Sequence, residues 1–182
     1  MNTTGSRATV ATTAAENANS SPLARIVGIA IKLFERIPNT LIAVVARFSI
    51  AAVFWNSGQT KVEGFVINLV SGEFALGWPR LSESALALFQ DEYKLPFIRP
   101  ELAAPMAATA EHLLPVLILV GLGTRFSALA LLGMTLVIQF FVYPGAYATH
   151  GTWAAVLLYL IARGPGMLSV DHFLVAREAG VR

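Results

Sequence analysis

An apolar stretch over residues 101–122 carries a carboxylate and an imidazole side by side, at Glu111 and His112. As a helix it would be about 33 Å long at ~1.5 Å per residue, enough to cross a hydrocarbon core of roughly 30 Å. Ionisable side chains within a membrane span are costly unless they face protein or water, which makes both residues candidates for function. Pro115 adds to the local polarity, because it has no amide hydrogen to donate to the carbonyl of Glu111.

Arg47 is a third charged residue inside an apolar segment. It lies ~12 Å from one end of its segment, and Glu111 lies ~15 Å from the opposite end of the next, so the two depths nearly match. We therefore expect an Arg47–Glu111 ion pair, which would neutralise two charges that neither helix could carry alone. The pair could serve only to fix helix register, or it could hold a proton-accepting carboxylate. Both interpretations stay open.

A His, Glu or Arg among aromatic and branched side chains can hydrogen-bond the ring oxygens of a quinone and relay protons. The candidate quinone and proton site is accordingly Glu111, His112 and Arg47. His112 points ~100° round the helix from Glu111, so the two need not share a pocket. Supporting residues are Pro115, Lys61, Trp55 and Gln139, of which Gln139 is also explained as a hydrogen bond between helices.

Other cofactors are less compatible with the sequence. Haem is not expected, because His150 falls at the outer end of the fourth span, beside the connection that precedes it, and His172 in the C-terminal tail, and neither would match the depth of His112. The chain has no cysteine, which excludes disulfides, thiolate nucleophiles and all-cysteine zinc or iron–sulfur sites. No metal site and no covalently bound cofactor is predicted, and quinone is the ligand left open.

The composition identifies the class of protein. Of 182 residues, 55% are hydrophobic and 13% are charged, against about 25% charged in an average soluble domain. The mean hydropathy is +0.64. These values predict an integral membrane protein. The formal charge of +2 comes from cations that flank apolar segments, so a nucleic-acid partner is not expected.

Four apolar segments predict an all-α protein, a four-transmembrane-helix bundle whose spans lie at about 39–58, 101–122, 126–143 and 146–162. They belong to one membrane domain over residues 38–175. A tail over residues 1–22, rich in Thr, Ala, Asn and Ser, is predicted to be disordered. Residues 23–37 keep helical apolar spacing and predict an amphipathic helix, which either lies on the membrane surface or extends the first span.

The connection over residues 59–100 is too long to lack structure of its own. Apolar spacing from Leu81 to Phe89 predicts a short helix there. Residues 65–70 are too few to cross a membrane, so a re-entrant, an interfacial and a lid-like arrangement all stay open.

The distribution of Lys and Arg predicts the orientation. Eight lie on the side of the two termini and four lie in the 59–100 loop, which with Arg47 accounts for all 13. Both termini are therefore predicted to be cytoplasmic. The aromatic residues Trp55, Trp78 and Tyr143 fall at the opposite interface, in agreement with this orientation.

The residues around these spans resemble the DoxX family of small four-helix bacterial membrane proteins. The resemblance rests on Arg47, Phe54, Ser57-Gly58, Lys61, Glu111, the turn Gly121–Arg125 and the closing segment Gly164–Asp171. It implies a bacterial inner-membrane protein of a superfamily linked to redox complexes, including subunits of thiosulfate:quinone oxidoreductases and proteins of thiol and oxidative stress. A direct thiol-exchange role is not expected in a chain without cysteine.

Three functions follow, and none is a stand-alone enzyme. A quinone-linked subunit would hold quinone near Glu111 and take electrons from a soluble redox partner or another membrane subunit. A non-catalytic anchor or assembly factor would recruit such a partner. A transporter would use Glu111 as its coupling site, although no inverted repeat is visible. The lipid bilayer is a partner in each case, and a homo-oligomer is compatible with all three.

Overall fold

The computed structural model describes residues 21–68 and 71–180. The chain consists of two compact units, Met1–Pro38 and Asn39–Arg182. The first contains helix α1, Pro22–Phe34, whose Ala24 amide donates to the Ser21 side chain at 3.3 Å. None of its residues is buried. This helix overlaps the segment expected to be amphipathic, and its position on a membrane stays a prediction. The predicted disordered tail lies almost wholly outside the described residues.

The second unit contains the membrane domain. In chain order its elements are helix α2 (Asn39–Gln59), strands β1 (Val62–Asn68) and β2 (Glu73–Leu81), helix α3 (Glu83–Ala87) with a π-helical turn (Leu88–Tyr93), helix α4 (Pro100–Val120), helix α5 (Thr124–Val137) with a π-helical turn (Ile138–Val142), a 3-10 turn (Pro144–Ala146), helix α6 (Tyr147–Arg163) and helix α7 (Val170–Gly180).

Four of these helices form a bundle. Helix α2 packs on α4, α4 on α5, α5 on α6, and α6 returns to α2. Within the described residues, three segments are long and apolar enough to cross a membrane: Asn39–Gln59, Pro100–Val120 and Thr124–Val142. The fourth predicted span is the shorter helix α6, whose 17 residues extend about 25 Å. The predicted mainly helical, multi-pass membrane fold is confirmed.

The bundle core is apolar and its outer surface is apolar too. Buried side chains from all four helices meet in one cluster that includes Ile50, Phe54, Ile118, Leu131, Leu157 and Leu160. Outward-facing residues such as Phe126, which is 81% exposed, would face hydrocarbon in a bilayer. Ala104 and Ala108 of α4 are buried, as expected where small residues let neighbouring backbones approach.

The long connection between α2 and α4 contains a β-hairpin and a short helix. Strands β1 and β2 are antiparallel, with Phe65 opposite Leu76 and Ile67 opposite Phe74. The predicted helix over 81–89 is confirmed by α3, whose Ala85 amide donates to the Ser82 side chain at 3.1 Å. The hairpin is not predicted, because β2 contains a glycine and a proline, which strands disfavour.

The two ends of the bundle differ in the elements that they carry. The hairpin end is where β1, β2 and α3 lie. The turn end is where α4 reverses into α5 through residues 121–123, and where the segment 164–169 leads from α6 to α7.

Candidate functional site

The carboxylate of Glu111 forms an ion pair at the hairpin end. Glu111 is 2% exposed, and the ammonium of Lys61 lies 2.6 Å from its Oε2. The hydroxyl of Ser57 donates to Oε1 at 3.2 Å. Helix α4 supplies the carboxylate, α2 supplies the serine, and the residues just after α2 supply the lysine. Both carboxylate oxygens thus have partners, one on α2 and one just after it.

Lys61 is as deeply enclosed as its partner, at 3% exposure. Its Nζ donates to the Ser57 carbonyl at 3.2 Å and to the Ser57 hydroxyl at 3.0 Å, in addition to the Glu111 contact. Its backbone carbonyl accepts from the Ser82 amide at 3.0 Å, which joins it to the start of α3. The ammonium therefore has three partners. Together they offset the free-energy cost of removing its charge from water. We call Lys61, Ser57 and Glu111 the hairpin-end triad.

The expected Arg47–Glu111 ion pair is wrong. Arg47 is buried at the turn end, where its guanidinium donates to the carbonyls of Leu119 at 3.3 Å and Leu168 at 2.6 Å. The depth estimate assumed that α2 ends and α4 begins at the same membrane level. Gln59, the last residue of α2, is instead level with His112, so residues 100–111 extend past the end of α2. This stagger brings Glu111 beside Ser57 and Lys61.

His112 is held by a chain of hydrogen bonds. The Ile67 amide of β1 donates to Gln59 Oε1 at 2.8 Å, which leaves the Gln59 NH2 group facing His112 Nε2 at 2.9 Å. The imidazole Nδ1 lies 2.7 Å from the Ala108 carbonyl. Because the carbonyl can only accept and the amide nitrogen can only donate, the ring is neutral with its hydrogen on Nδ1. The sequence did not indicate Gln59 as its partner.

Aromatic rings enclose the imidazole. Trp55 and Phe65 lie edge-on to it, with ring centroids 5.2 and 6.2 Å away. The Trp55 indole donates to the Ile67 carbonyl at 3.0 Å, which fixes the ring against the hairpin. A Cβ on Gly58 would lie 3.0 Å from the imidazole and 3.1 Å from Glu111 Cβ. The absence of a side chain at Gly58 thus lets α2 approach both candidate residues closely.

Glu111 and His112 face two different cavities, as the ~100° rotation between neighbouring helical residues predicts. Glu111 lines one of 250 Å³ between α4, α5 and the turn Leu88–Tyr93, which we call the carboxylate cavity. Among the described residues lining it, Glu111 is the only charged one. Tyr93 lies on its wall, and burial, with the Glu111 charge second, raises the pKa of Tyr93.

His112 lines a larger space of 790 Å³ between the hairpin, α2 and α4, which we call the histidine cleft. Trp55, Phe65 and Trp78 provide aromatic walls, and Arg80 lies on its hairpin side. Ligand pockets usually measure about 300–1,000 Å³. The cleft falls in that range and the carboxylate cavity lies just below it.

Two supporting candidates have other positions. Gln139 lies outside the site: its Oε1 is 2.8 Å from His150 Nδ1, and its amide donates to the Pro144 carbonyl at 2.7 Å. It therefore links α5 to α6, as the alternative interpretation predicts. Pro115 is buried one helical turn after Glu111, and it leaves the Glu111 carbonyl without the usual amide donor.

A second polar cluster lies at the turn end. The Asp171 carboxylate accepts from the amides of Gly123 at 2.7 Å and Thr124 at 3.0 Å. The Asp171 amide donates to the Gly121 carbonyl at 2.8 Å. Gly121 has φ +76°, and a Cβ there would collide with the Arg47 guanidinium. The two sequence motifs at this end therefore bind each other, with Arg47 beneath them.

The chain matches the family model described as DoxX over residues 42–144. It belongs to the DoxX family. No curated protein and no solved structure matches it. The DoxX match contains Arg47, Lys61, Glu111 and His112 but ends before Asp171. The hairpin-end triad and the histidine cleft thus lie within the region that defines the DoxX family.

Proposed function

We propose that this DoxX protein is a membrane subunit of a quinone-linked redox complex. The observation that most supports this proposal is the buried carboxylate of Glu111, which is paired with Lys61. Its neighbour in sequence, His112, lines a cleft of ligand size in the membrane domain. Ionisable residues at such depth are functional candidates by default. A soluble partner or another membrane subunit would supply the electrons, because this chain contains no cysteine.

The histidine cleft fits a quinone better than the carboxylate cavity does. Its 790 Å³ accommodates a substituted ring with part of an isoprenoid chain, and aromatic walls suit a flat ring. His112 and Arg80 supply polar groups for the ring oxygens. A quinone, when bound, contributes the acceptor for two electrons and two protons.

The residues of the chain would manage the protons. His112 is held with Nε2 as an acceptor, so a proton arriving at Nε2 would break its contact with the Gln59 NH2 group, since two donors would then face each other. Gln59 cannot simply turn over, because its oxygen accepts from the Ile67 amide. Proton uptake at His112 would therefore loosen the wall of the cleft. Glu111, one residue away, is the nearby acceptor, and its ion pair with Lys61 offsets the cost of burying a carboxylate.

The test is the quinone content of protein purified in native lipid discs, measured after solvent extraction. We expect near-stoichiometric quinone in the wild type and a loss of at least tenfold in His112→Leu. Glu111→Gln, which leaves the cleft wall in place, should keep quinone but slow its reduction by the partner complex. His172→Leu, a histidine at the turn end, and Glu101→Gln, an exposed carboxylate on the same helix α4, are the matched controls.

Purified wild-type protein that contains no quinone would favour a non-catalytic anchor. An anchor would hold a partner protein through purification without any quinone, and Glu111→Gln would leave that recruitment unchanged. The triad would then act only as a structural link between α2 and α4.

For orientation, we propose the bacterial cytoplasmic membrane with both termini in the cytoplasm, supported by the eight-to-four distribution of Lys and Arg. Arg80 is exposed at the hairpin end and Glu178 is exposed in α7. An impermeant maleimide added to intact cells should label Arg80→Cys and leave Glu178→Cys unlabelled. The reverse pattern would show that the protein is inserted the other way.

A further inference from the structure

The β-hairpin carries large apolar side chains that no other described residue covers. Phe74 is 62% exposed, Leu76 80% and Trp78 84%. All nine residues of β2 are exposed. In a water-facing loop such an arrangement would be an aggregation hazard.

The hairpin is nevertheless fixed to the bundle both near its turn and at its base. Near the turn, the Trp55 indole and the Gln59 side chain of α2 each bond the backbone of Ile67, at 3.0 and 2.8 Å. At the base, the Ser82 amide bonds the Lys61 carbonyl at 3.0 Å. The exposed apolar side chains are thus held in a constant place relative to α2.

The apolar side chains of the hairpin lie beside the outward-facing surface of α4. Trp78 and Leu81 line the histidine cleft together with Leu113 and Val116 of α4, which are 55% and 43% exposed. Since α4 is long and apolar enough to cross a membrane, these outward side chains would face hydrocarbon in a bilayer. The apolar surface of the hairpin lies beside them across the cleft.

Backbone chemistry limits how deep the hairpin can go. It is a two-stranded sheet, so the amides and carbonyls on the outer edge of β2 have no partner strand, and such groups cannot be placed in the hydrocarbon core. Trp side chains are favoured at the boundary between acyl chains and headgroups, and Phe and Leu are typical of the apolar face of segments that lie there. Arg80 follows Trp78 closely and offers a cation at headgroup level.

We propose that the hairpin is an interfacial membrane anchor, with Phe74, Leu76 and Trp78 inserted among the outermost acyl-chain carbons of the adjacent phospholipid leaflet. In this position the histidine cleft opens to lipid, and an apolar molecule with a long chain enters it from the bilayer. The anchor itself does not depend on quinone being the ligand.

Spin labels on single cysteines test the depth directly, because the chain has no native cysteine. Leu76→Cys, Leu129→Cys on the exposed face of α5 and Asp91→Cys in the turn after α3 are labelled in liposomes of phosphatidylethanolamine and phosphatidylglycerol. Collision with oxygen, which concentrates in lipid, is compared with collision with a water-soluble nickel chelate.

We expect the oxygen-to-nickel ratio at residue 76 to exceed the ratio at residue 91 at least threefold. We also expect it to fall below the ratio at residue 129. Together the two results would indicate a shallow insertion. A ratio at residue 76 equal to that at residue 91 would overturn the proposal. So would strong dipolar broadening between labels at residue 76, because that signal means that a second copy covers the surface. As an independent measurement, brominated lipids should quench wild-type tryptophan fluorescence more than that of Trp78→Phe, and equal quenching would contradict insertion.

Discussion

Both ends of the bundle bury charge, but they compensate it differently. At the hairpin end, the side chains of Lys61 and Glu111 meet directly, with Ser57 between them. At the turn end, Arg47 bonds backbone carbonyls and Asp171 bonds backbone amides. Backbone partners cannot change protonation, whereas a carboxylate and an ammonium can. The comparison indicates that the turn end closes the fold, and it favours the hairpin end as the place for the proposed proton chemistry.

The two charged clusters also differ in the cavities beside them. Glu111 lines the carboxylate cavity and its neighbour His112 lines the histidine cleft. Neither Arg47 nor Asp171 lines either of these cavities. Both of these cavities therefore adjoin the charged cluster at the hairpin end.

The largest expected effect concerns the triad. Glu111→Leu or Lys61→Met alone leaves a buried charge without its partner and should lower the free energy of unfolding by about 3–5 kcal/mol. The double variant should recover most of that loss. Unfolding in mixed micelles with increasing dodecyl sulfate, followed by circular dichroism, measures each variant, and Glu101→Leu serves as the control. Additive losses would mean that Lys61 and Glu111 are not coupled.

The stability losses of Arg47→Leu and Glu111→Leu should, in contrast, be additive within about 0.5 kcal/mol when the two changes are combined.

The next effect belongs to the turn end. Gly121→Ala introduces a side chain at φ +76° and against the Arg47 guanidinium, and should lower the free energy of unfolding by about 1–3 kcal/mol. Gly133→Ala in α5, where an added Cβ meets nothing within 4 Å, is the matched control and should be neutral or stabilising. The same micelle titration distinguishes them, and equal stabilities for the two variants would contradict the crowding of Arg47.

Asp171→Ala removes the carboxylate that caps the first amides of α5. The loss should be about 1–2 kcal/mol, as for other helix caps. Hydrogen exchange should rise at Gly123 and Thr124 while the amide of Ile67 at the opposite end keeps its protection. Exchange that rises equally at both ends would show that the two clusters are not independent.

The smallest effect is expected for Ser57→Ala. It removes one hydrogen bond to Glu111 and one to Lys61 but leaves the ion pair, so the loss should be about 1 kcal/mol. Because the ion pair survives, this variant should keep bound quinone. A loss as large as that of Lys61→Met would mean that the serine, rather than the direct ion pair, holds the cluster together.

Much of this arrangement could be predicted from the sequence, because it depends on properties of single helices. Apolar length predicted the spans, and the rotation between neighbours indicated that Glu111 and His112 need not share a pocket. The partner of Glu111 could not be found in this way. It depends on the stagger between α2 and α4, which neither helix determines by itself. The presence of Ser57 and Lys61 four residues apart, at the end of a span, was the available signal.

The hairpin shows a second limit of sequence reasoning. Strand β2 contains Gly77 and Pro79, and a Cβ on Gly77 would collide with the Gly64 carbonyl of β1. The strands form because two glycines let the backbones approach, and because Trp55 and Gln59 hold Ile67 in place. These contacts are between distant parts of the chain, so alternation of apolar residues does not reveal them.

The Asp171 cap also has a consequence for the order of synthesis. The turn that it stabilises precedes it by 47 or 48 residues. At a translation rate of ~5–20 residues per second, the carboxylate that caps the reversal from α4 to α5 is made about 2–10 s after the turn itself. The nascent bundle therefore lacks this cap while α5 and α6 are being made, and closure by Asp171 follows their synthesis.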